Sequence, residues 1–190
     1  MKNMNTFSAL NIINRIIDEN VQEGDICIDA TAGRGNDMLH LCRLVGDSGY
    51  VKAFDIQEDA VKSANSLLSE NNLSHRGEAI LDSHSNMDKY CIKNTVSFIT
   101  FNFGWLPNGD HTINTKKETS IEAIKKGLEL LKNGGIMSLI IYYGKETGFE
   151  EKDAILEFLP SLDSKKYTVI EMPFVNRPNC PPIPIIIIKH

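Results

Sequence analysis

The hydrophobic positions of the chain follow two spacings, one typical of strands and one typical of helices. Short apolar runs bounded by turn-forming residues predict strands at 26–29, 50–56, 79–81, 96–101, 136–142, 167–174 and 183–188. Apolar positions that recur three or four residues apart predict helices at 7–20, 37–45, 58–70, 120–131 and 150–159. Strands and helices alternate from residue 26 to residue 160, which predicts a parallel sheet with helices on both faces.

The end of the chain departs from this alternation. No helix separates the strands at 167–174 and 183–188, so we expect them to form an antiparallel pair at one edge of the sheet. A mostly parallel seven-stranded sheet with a C-terminal antiparallel hairpin is the arrangement of class I S-adenosylmethionine-dependent methyltransferases, a Rossmann-like α/β fold. We expect residues 1–190 to form a single methyltransferase domain, with an N-terminal helix within residues 1–20 packed on the sheet.

The first strand leads into a glycine-rich turn that opens a helix. Asp29 ends the strand, and Gly33 and Gly35 precede a helical pattern that begins near Asp37. Such a turn lets a ligand approach the backbone at a helix N-terminus, and both dinucleotides and S-adenosylmethionine use it. A dinucleotide turn takes a third small residue where this chain has Met38. This difference favours S-adenosylmethionine, which has no phosphate, over the dinucleotide alternative.

Aspartates follow the first three predicted strands. Asp29, Asp55 and Asp82 each stand at a strand end, and in a parallel sheet these ends meet at one edge. Three carboxylates there suit a ligand that carries an ammonium group, a ribose diol and an adenine amino group. Aspartates at strand ends are also ordinary turn formers, but three in register with the glycine turn favour a binding role.

Candidate residues for the acceptor follow the fourth and fifth strands. Asn102 offers a carbonyl oxygen that can orient an attacking amine, and the rings of Phe103 and Trp105 can stack on a base. Packing against the protein is an equally good interpretation of Trp105. Tyr142, at the end of the fifth strand, can line a nucleotide pocket or accept a proton through its hydroxyl, and packing at the strand end is an equally good interpretation.

The net charge and composition limit the classes of binding partner that we expect. The formal net charge is −5 and the pI is about 5.5, which is unlike a general nucleic-acid binder. Lys116 and Arg177 lie in loops predicted near the strand ends, so they are the candidates for a local phosphate-binding patch. The connector at 176–182 either shapes the mouth of the site or makes the final hairpin rigid.

The remaining composition predicts an ordinary globular protein. No apolar run reaches the length of a membrane span, and the N-terminus lacks the apolar core of a signal peptide, so we expect a cytoplasmic protein without membrane contact. The four cysteines show no C-x-x-C pair, and we expect neither a disulfide framework nor a metal site.

Five sequence blocks together resemble one family, the MnmM (YtqB-like) methyltransferases, long labelled as rRNA methylases. The blocks are Asp29-Ala-Thr-Ala-Gly-Arg-Gly-Asn-Asp37, Phe54-Asp-Ile-Gln57, Asp82-Ser-His84, Asn102-Phe-Gly-Trp-Leu-Pro107 and Ile141-Tyr-Tyr-Gly144. The resemblance implies S-adenosyl-L-methionine-dependent N-methylation of the 5-aminomethyl group of wobble uridine 34 in tRNA, giving 5-methylaminomethyl-(2-thio)uridine. It also implies contact with the anticodon stem-loop and a homodimer.

The resemblance further implies roles for individual residues. The catalytic residues would be Asn102 and Tyr142, and the substrate-binding residues would be Phe103, Trp105, Lys116 and Arg177. The residues implied to bind the cofactor are Asp29, Thr31, Gly33, Gly35, Asn36, Asp37, Asp55, Gln57, Asp82, Ser83 and His84. Two alternatives stay open from the residues alone. One is a small-molecule N- or O-methyltransferase, favoured by the acidic pI, and the other is a non-catalytic S-adenosylmethionine-binding protein.

Overall fold

The computed structural model describes residues 7–104, 116–144 and 148–190. Within these ranges the strands are β1 (Ile26–Asp29), β2 (Tyr50–Asp55), β3 (Gly77–Leu81), β4 (Val96–Phe103), β5 (Leu131–Ile141), β6 (Tyr167–Glu171) and β7 (Ile183–Lys189). The α-helices are α1 (Ala9–Asn20), α2 (Asn36–Leu44), α3 (Glu58–Glu70), α4 (Lys117–Leu130) and α5 (Phe149–Phe158). Short 3₁₀ helices cover His84–Lys89 and Leu159–Ser161.

The strands form one seven-stranded sheet in the order β3-β2-β1-β4-β5-β7-β6. All neighbouring pairs are parallel except those of β7, which runs antiparallel to both β5 and β6. The predicted mostly parallel sheet with an antiparallel C-terminal hairpin is therefore confirmed. The chain reverses its direction of travel across the sheet between β1 and β4. A crevice at the carboxyl ends of the strands, beside such a reversal, is the usual ligand site of this architecture.

Both faces of the sheet are buried in hydrophobic cores, and this packing holds the ends of its strands in place. β4 has the near-continuous apolar sequence VSFITFNF of a central strand and is buried along almost its whole length. Phe101 and Phe103 pack in the core beneath α4 and α5, whereas Phe98 packs in the opposite core beneath α1, α2 and α3. The alternation follows from the two-residue period of a strand.

Helix α1 packs on the C-terminal part of the sheet. Ser8 caps its first turn by accepting a hydrogen bond from the amide of Asn11 at 3.1 Å. Ala9, Ile13 and Ile17 are buried one turn apart and face β5 and β7. The helix that opens the described chain thus rests on the strand that closes it.

Some element boundaries differ from the sequence prediction. β5 begins at Leu131, and the Asn-Gly-Gly sequence at 133–135 lies inside this strand, where the pairing with β4 shifts register between Val96 and Phe98. Gly134 takes a φ of +78° there, so the glycines form a strand irregularity beyond the end of α4. The 3₁₀ helix at His84–Lys89 was not predicted, because its polar sequence has no apolar periodicity.

The glycine turn packs directly against α3. Gly35 has a φ of +84°, in the left-handed region, and a Cβ atom added to it would lie 2.7 Å from the Cα atom of Ala64. Both the backbone conformation and the approach of α3 therefore require glycine at this position.

We expect Gly35→Ala to lower the free energy of unfolding by about 3 kcal/mol, because left-handed strain and overpacking against Ala64 add together. Gly134→Ala is the matched control: its φ is +78°, but no atom lies within 4 Å of the added Cβ. The control should lose only about 1 kcal/mol, from the backbone alone. Urea denaturation measures the free energy of unfolding of both variants, and equal losses in the two would contradict a packing role for Gly35.

Candidate active site

A cavity of about 910 Å³ opens at the carboxyl ends of the parallel strands. This volume lies near the upper end of the range for small-molecule sites, roughly 300–1,000 Å³. Most of the residues implicated by the sequence line it, namely Thr31, Gly33, Asn36, Asp37, Asp55, Gln57, Asp82, Ser83, His84, Asn102, Lys116 and Tyr142. The sheet therefore brings together side chains that are more than 100 residues apart in the chain.

Hydrogen bonds attach the glycine turn to two neighbouring strands. The hydroxyl oxygen of Thr31 accepts a hydrogen bond from the backbone amide of Asn102 at 2.8 Å, which joins the turn to β4. The Gly33 amide donates to the carboxylate of Asp55 at 2.9 Å, which joins the turn to the end of β2. Because Asp55 already accepts from this amide, the turn does not offer Gly33 as an open anion-binding donor.

The charges on the cavity wall favour a cationic ligand. Asp37, Asp55 and Asp82 line the cavity together with the cationic residues Arg34 and Lys116. Hydrogen bonds from Asn86 and Tyr90, at 2.7 and 2.8 Å, hold the pKa of Asp82 below its ordinary value. An ionised Asp82 and a bonded Asp55 suit amino and hydroxyl donors and repel a pyrophosphate. The geometry agrees with the sequence preference for a sulfonium ligand over a dinucleotide.

Asp29 and Gly35 support the turn from outside the cavity wall. Asp29 is fully buried, and one oxygen of its carboxyl group accepts from the Thr31 amide at 3.1 Å. Burial first, and the neighbouring charge of Asp37 second, raise the pKa of Asp29. The prediction that its side chain meets a ligand ammonium is therefore wrong, because the carboxyl group is sealed beneath the turn. Gly35 serves the packing of α3 and does not line the cavity.

Asn102 and Tyr142 lie beside the half-buried carboxylate of Asp37. The Asn102 side-chain amide donates to Oδ2 of Asp37 at 2.7 Å. Tyr142 is half-buried, and burial together with the charge of Asp37 raises the pKa of its hydroxyl. At neutral pH Tyr142 is thus a neutral phenol that can form hydrogen bonds, and its hydroxyl is a weak proton acceptor.

His84 packs between the cavity and the core. Its Nδ1 atom lies 3.2 Å from the Ala30 carbonyl oxygen, which only accepts, so Nδ1 carries the proton and Nε2 is an acceptor. Nε2 is buried, and no described residue donates to it. The ring packs edge-on against Phe101 and Phe103. Burial lowers the pKa of His84, so the folded protein holds it neutral.

Two predicted substrate-binding residues do not line the cavity, and a third is not described by the structure. Phe103 is fully buried and stacks on Phe101 with ring centroids 4.9 Å apart, so the prediction that it stacks on a base is wrong. Arg177 lies over the Phe174 ring, 3.9 Å from its centroid, and is not among the described residues that line the cavity. Trp105 lies outside the described residues.

The structure adds cavity residues that the sequence did not single out individually as members of the site. Leu10 of α1 and Tyr143 line the cavity, as do Cys180 and Pro182 of the connector between β6 and β7. The helical spacing around Leu10 indicated only a core-facing helix. The connector has two interpretations from its sequence, and the positions of Cys180 and Pro182 support the one in which it shapes the mouth of the site.

The described residues contain neither a membrane-spanning helix nor a metal-binding cluster. None of the helices within 7–104, 116–144 and 148–190 is long and apolar enough to cross a membrane. In the same ranges, no group of three or more histidine, cysteine, aspartate or glutamate side chains is arranged to hold a metal ion.

Comparison with known proteins gives one family and several close relatives. The model of the family described as "Putative rRNA methylase" matches residues 51–188. A curated relative, the chloroplastic tRNA (mnm(5)s(2)U34)-methyltransferase of Arabidopsis thaliana, is 35% identical over an alignment of 182 positions that covers 91% of this chain. The match covers 66% of that relative, so this chain spans just under two thirds of its length.

Solved structures show the same architecture. A crystal structure described as a "putative rRNA-methylase" of Clostridium thermocellum is 45% identical, with a TM-score of 0.95 over 98% of this chain and 100% of that one. A methyltransferase of Streptococcus mutans, crystallised in complex with SAH, is 33% identical, with a TM-score of 0.88 and coverage of 98% and 100%. The fold is that of S-adenosylmethionine-dependent methyltransferases.

We expect His84 to make the protein less stable in acid. Its pKa in the folded state lies below the ordinary value of 6.5, so on acidification the unfolded chain binds this proton first. The stability is full above pH 6.5 and is lost as the pH falls from there towards the folded-state pKa. The loss amounts to about 1.4 kcal/mol for each pH unit that separates the folded-state and unfolded-state pKa values.

Thermal unfolding of the wild type and His84→Gln between pH 7.5 and pH 5.5 measures this loss, with the pH range set around the ordinary histidine pKa of about 6.5. The decrease in Tm on acidification should be smaller in His84→Gln. His75→Gln, which changes an exposed histidine, is the control and should keep the wild-type decrease. A His84→Gln protein with an unchanged decrease would contradict the assignment.

Proposed function

The chain belongs to the rRNA methylase family, and we propose that it is an S-adenosylmethionine-dependent methyltransferase that N-methylates the 5-aminomethyl group of wobble uridine 34 in tRNA. The observation that carries the proposal is the Asn102 amide at the cavity wall, which the 2.7 Å hydrogen bond to Asp37 holds in one orientation. The 35% identity with the Arabidopsis tRNA methyltransferase supports tRNA as the substrate class.

The described cavity residues fit the methyl donor. Asp55, at the end of β2, can accept hydrogen bonds from the ribose hydroxyls through oxygen lone pairs left beside the bond from Gly33. Asp82, Ser83 and His84 would surround the adenine, and Thr31 to Asn36 would pass along the methionine part. When bound, S-adenosylmethionine supplies an electrophilic methyl group on a positively charged sulfur, and the acidic wall is compatible with this charge.

The protein's share of the reaction is mainly alignment. Asn102 can accept a hydrogen from the substrate amine through its side-chain oxygen and so direct the nitrogen lone pair. Transfer would break the C–S bond as the N–C bond forms, leave the donor as a neutral thioether, and release one proton from the nitrogen to water. Holding the two reactants in line supplies up to about 7–11 kcal/mol in well-oriented systems. A neutral Tyr142 hydroxyl can line the space that the nucleoside occupies.

Contact with the anticodon stem-loop needs positive charge at the mouth of the site. Lys116, which precedes α4, lines the cavity and is the best-placed candidate for a phosphate contact. A homodimer, which the family resemblance implies, would pool such charges from two copies. Analytical ultracentrifugation of the purified chain checks the dimer independently of activity.

The test is methyl transfer to tRNA that carries 5-aminomethyl-2-thiouridine at position 34. We expect the purified chain and S-adenosylmethionine to convert this nucleoside into one with one additional methyl group, as detected by nucleoside mass spectrometry. Asn102→Ala should lower the turnover by about 100-fold or more, because the amine loses its orienting acceptor. Calorimetry should show almost unchanged cofactor affinity in this variant.

Asn20→Ala is the matched control, because Asn20 is exposed and donates to the Ile16 carbonyl oxygen at the end of α1. This variant should keep wild-type turnover. An unmethylated wobble nucleoside, together with methylation of a free small amine, would replace the tRNA proposal with the small-molecule alternative. Cofactor binding without transfer to either substrate would indicate a non-catalytic binding protein.

A further inference from the structure

We propose that Asp37 is the positioning residue of this site. Asp37 holds the Asn102 side chain with its NH₂ group toward the Asp37 carboxylate and its oxygen toward the acceptor amine. The proposal rests on the proposed function, because it assigns a residue to that reaction. The family resemblance implies only a cofactor contact for Asp37. The hydrogen bond of 2.7 Å between Nδ2 of Asn102 and Oδ2 of Asp37 indicates this different role.

The backbone on both sides of this hydrogen bond is fixed. The backbone amide of Asn102 donates to the Thr31 hydroxyl at 2.8 Å, and Asn102 pairs with Ile140 in the parallel β4–β5 ladder. Asp37 lies in the first turn of α2, directly after the glycine turn. With both main chains anchored, the side-chain rotations of Asn102 and Asp37 are the freedom that remains at this point of the wall.

The chemistry of the partner decides how this amide is turned. An ionised carboxylate accepts hydrogen bonds and cannot donate one, so the NH₂ group of Asn102 must face Asp37. The side-chain oxygen is then on the other side of the amide, available as an acceptor. An amine that attacks a methyl group needs such an acceptor for one of its hydrogens, so that its lone pair points at the carbon.

The surroundings favour a charge on Asp37 over a charge on Asp29. The two carboxyl groups interact, and burial raises the pKa of both. For Asp37, the hydrogen bond from Asn102 and the nearby His40 lower the pKa against the effect of burial. For Asp29, backbone hydrogen bonds lower the pKa, but burial first and the charge of Asp37 second raise it. Tyr142 stays neutral beside them. The pair therefore holds its negative charge where the Asn102 amide needs it.

Replacing Asp37 by a neutral residue of nearly the same size removes the preference for one orientation of the Asn102 amide and leaves the packing unchanged. Asp37→Asn introduces an amide that can either accept from Asn102 or donate to it, so both orientations of the Asn102 amide become available. The fraction of molecules with the oxygen toward the acceptor decreases. The effect should therefore appear in kcat, while KM for tRNA and the affinity for S-adenosylmethionine change little.

A swap of the two residues separates positioning from direct contact. In the double variant Asp37→Asn/Asn102→Asp, the introduced amide donates to the introduced carboxylate, and a second carboxylate oxygen is again available to the amine. If Asp37 acts through Asn102, the swap restores activity that each single variant lacks. If the Asp37 carboxylate itself touches the donor or the acceptor, the swap displaces that charge and restores nothing.

The experiment compares the wild type, Asp37→Asn, Asn102→Asp, the double variant and the control Asp47→Asn. Asp47 is an exposed aspartate bonded to His75 and Arg76, and it is not among the described residues that line the cavity. We expect each single site variant to lose about 30-fold or more in kcat and the double variant to return to within about 10-fold of wild type. The control should keep wild-type kcat.

An acceptor-independent measurement keeps the two proposals separate. In ¹⁵N spectra of the protein with S-adenosylmethionine, the Asn102 side-chain resonance is identified by its loss in Asn102→Asp. Its protons should exchange slowly with water in the wild type and about 10-fold or more faster in Asp37→Asn, because the carboxylate partner is gone. Equal exchange in the two proteins overturns the inference.

The kinetic outcomes are equally decisive. Wild-type kcat in Asp37→Asn, or a double variant no more active than the singles, overturns the positioning role. A wild-type protein that does not methylate wobble uridine contradicts the proposed function alone, and the exchange measurement then decides the role of Asp37.

Discussion

The attachment of the glycine turn to its neighbouring strands is the constraint on which the site depends. Thr31 joins the turn to β4 and Gly33 joins it to Asp55 of β2, so three strand ends move as one body. The buried Asp29 secures the same turn from below. Side chains of the turn and of β4 can face each other at a fixed distance only because these bonds hold. A mobile turn would leave Asp37 and Asn102 on independent supports.

The architecture could be predicted because its signals are local. Apolar runs such as β4 and the spacing of Ala9, Ile13 and Ile17 in α1 report burial directly, and the missing helix before β7 shows the antiparallel end. The exact boundaries depend on long-range contacts. The 133–135 segment contains two glycines, yet it stays within a strand because Leu131 before it and Ile136 after it pair with β4.

The sequence predicted most of the residues that line the site, but it predicted the roles of the individual residues less well. The motif blocks identified the strand-end residues, and the rules of parallel sheets brought them to one edge. Spacing alone could not show that Asp29 is sealed beneath the turn or that Phe103 points into the core, because either face of a strand end is compatible with the sequence. The hydrogen bond between Asp37 and Asn102 joins residues 65 positions apart, and no local pattern announces it.

The place of β7 between β5 and β6 has a consequence for biosynthesis. A nascent chain emerging from the ribosome can form β1 to β5 early, but β6 has no neighbour in the sheet until the last strand is made. The hydrophobic face of α1, which is translated before all seven strands, rests on β5 and β7. Leu10 and Pro182, which share the cavity wall, therefore come together only when synthesis of this strand is complete. A partly made chain without β7 thus lacks an intact binding cavity, and ligand binding becomes possible only after β7 has been made.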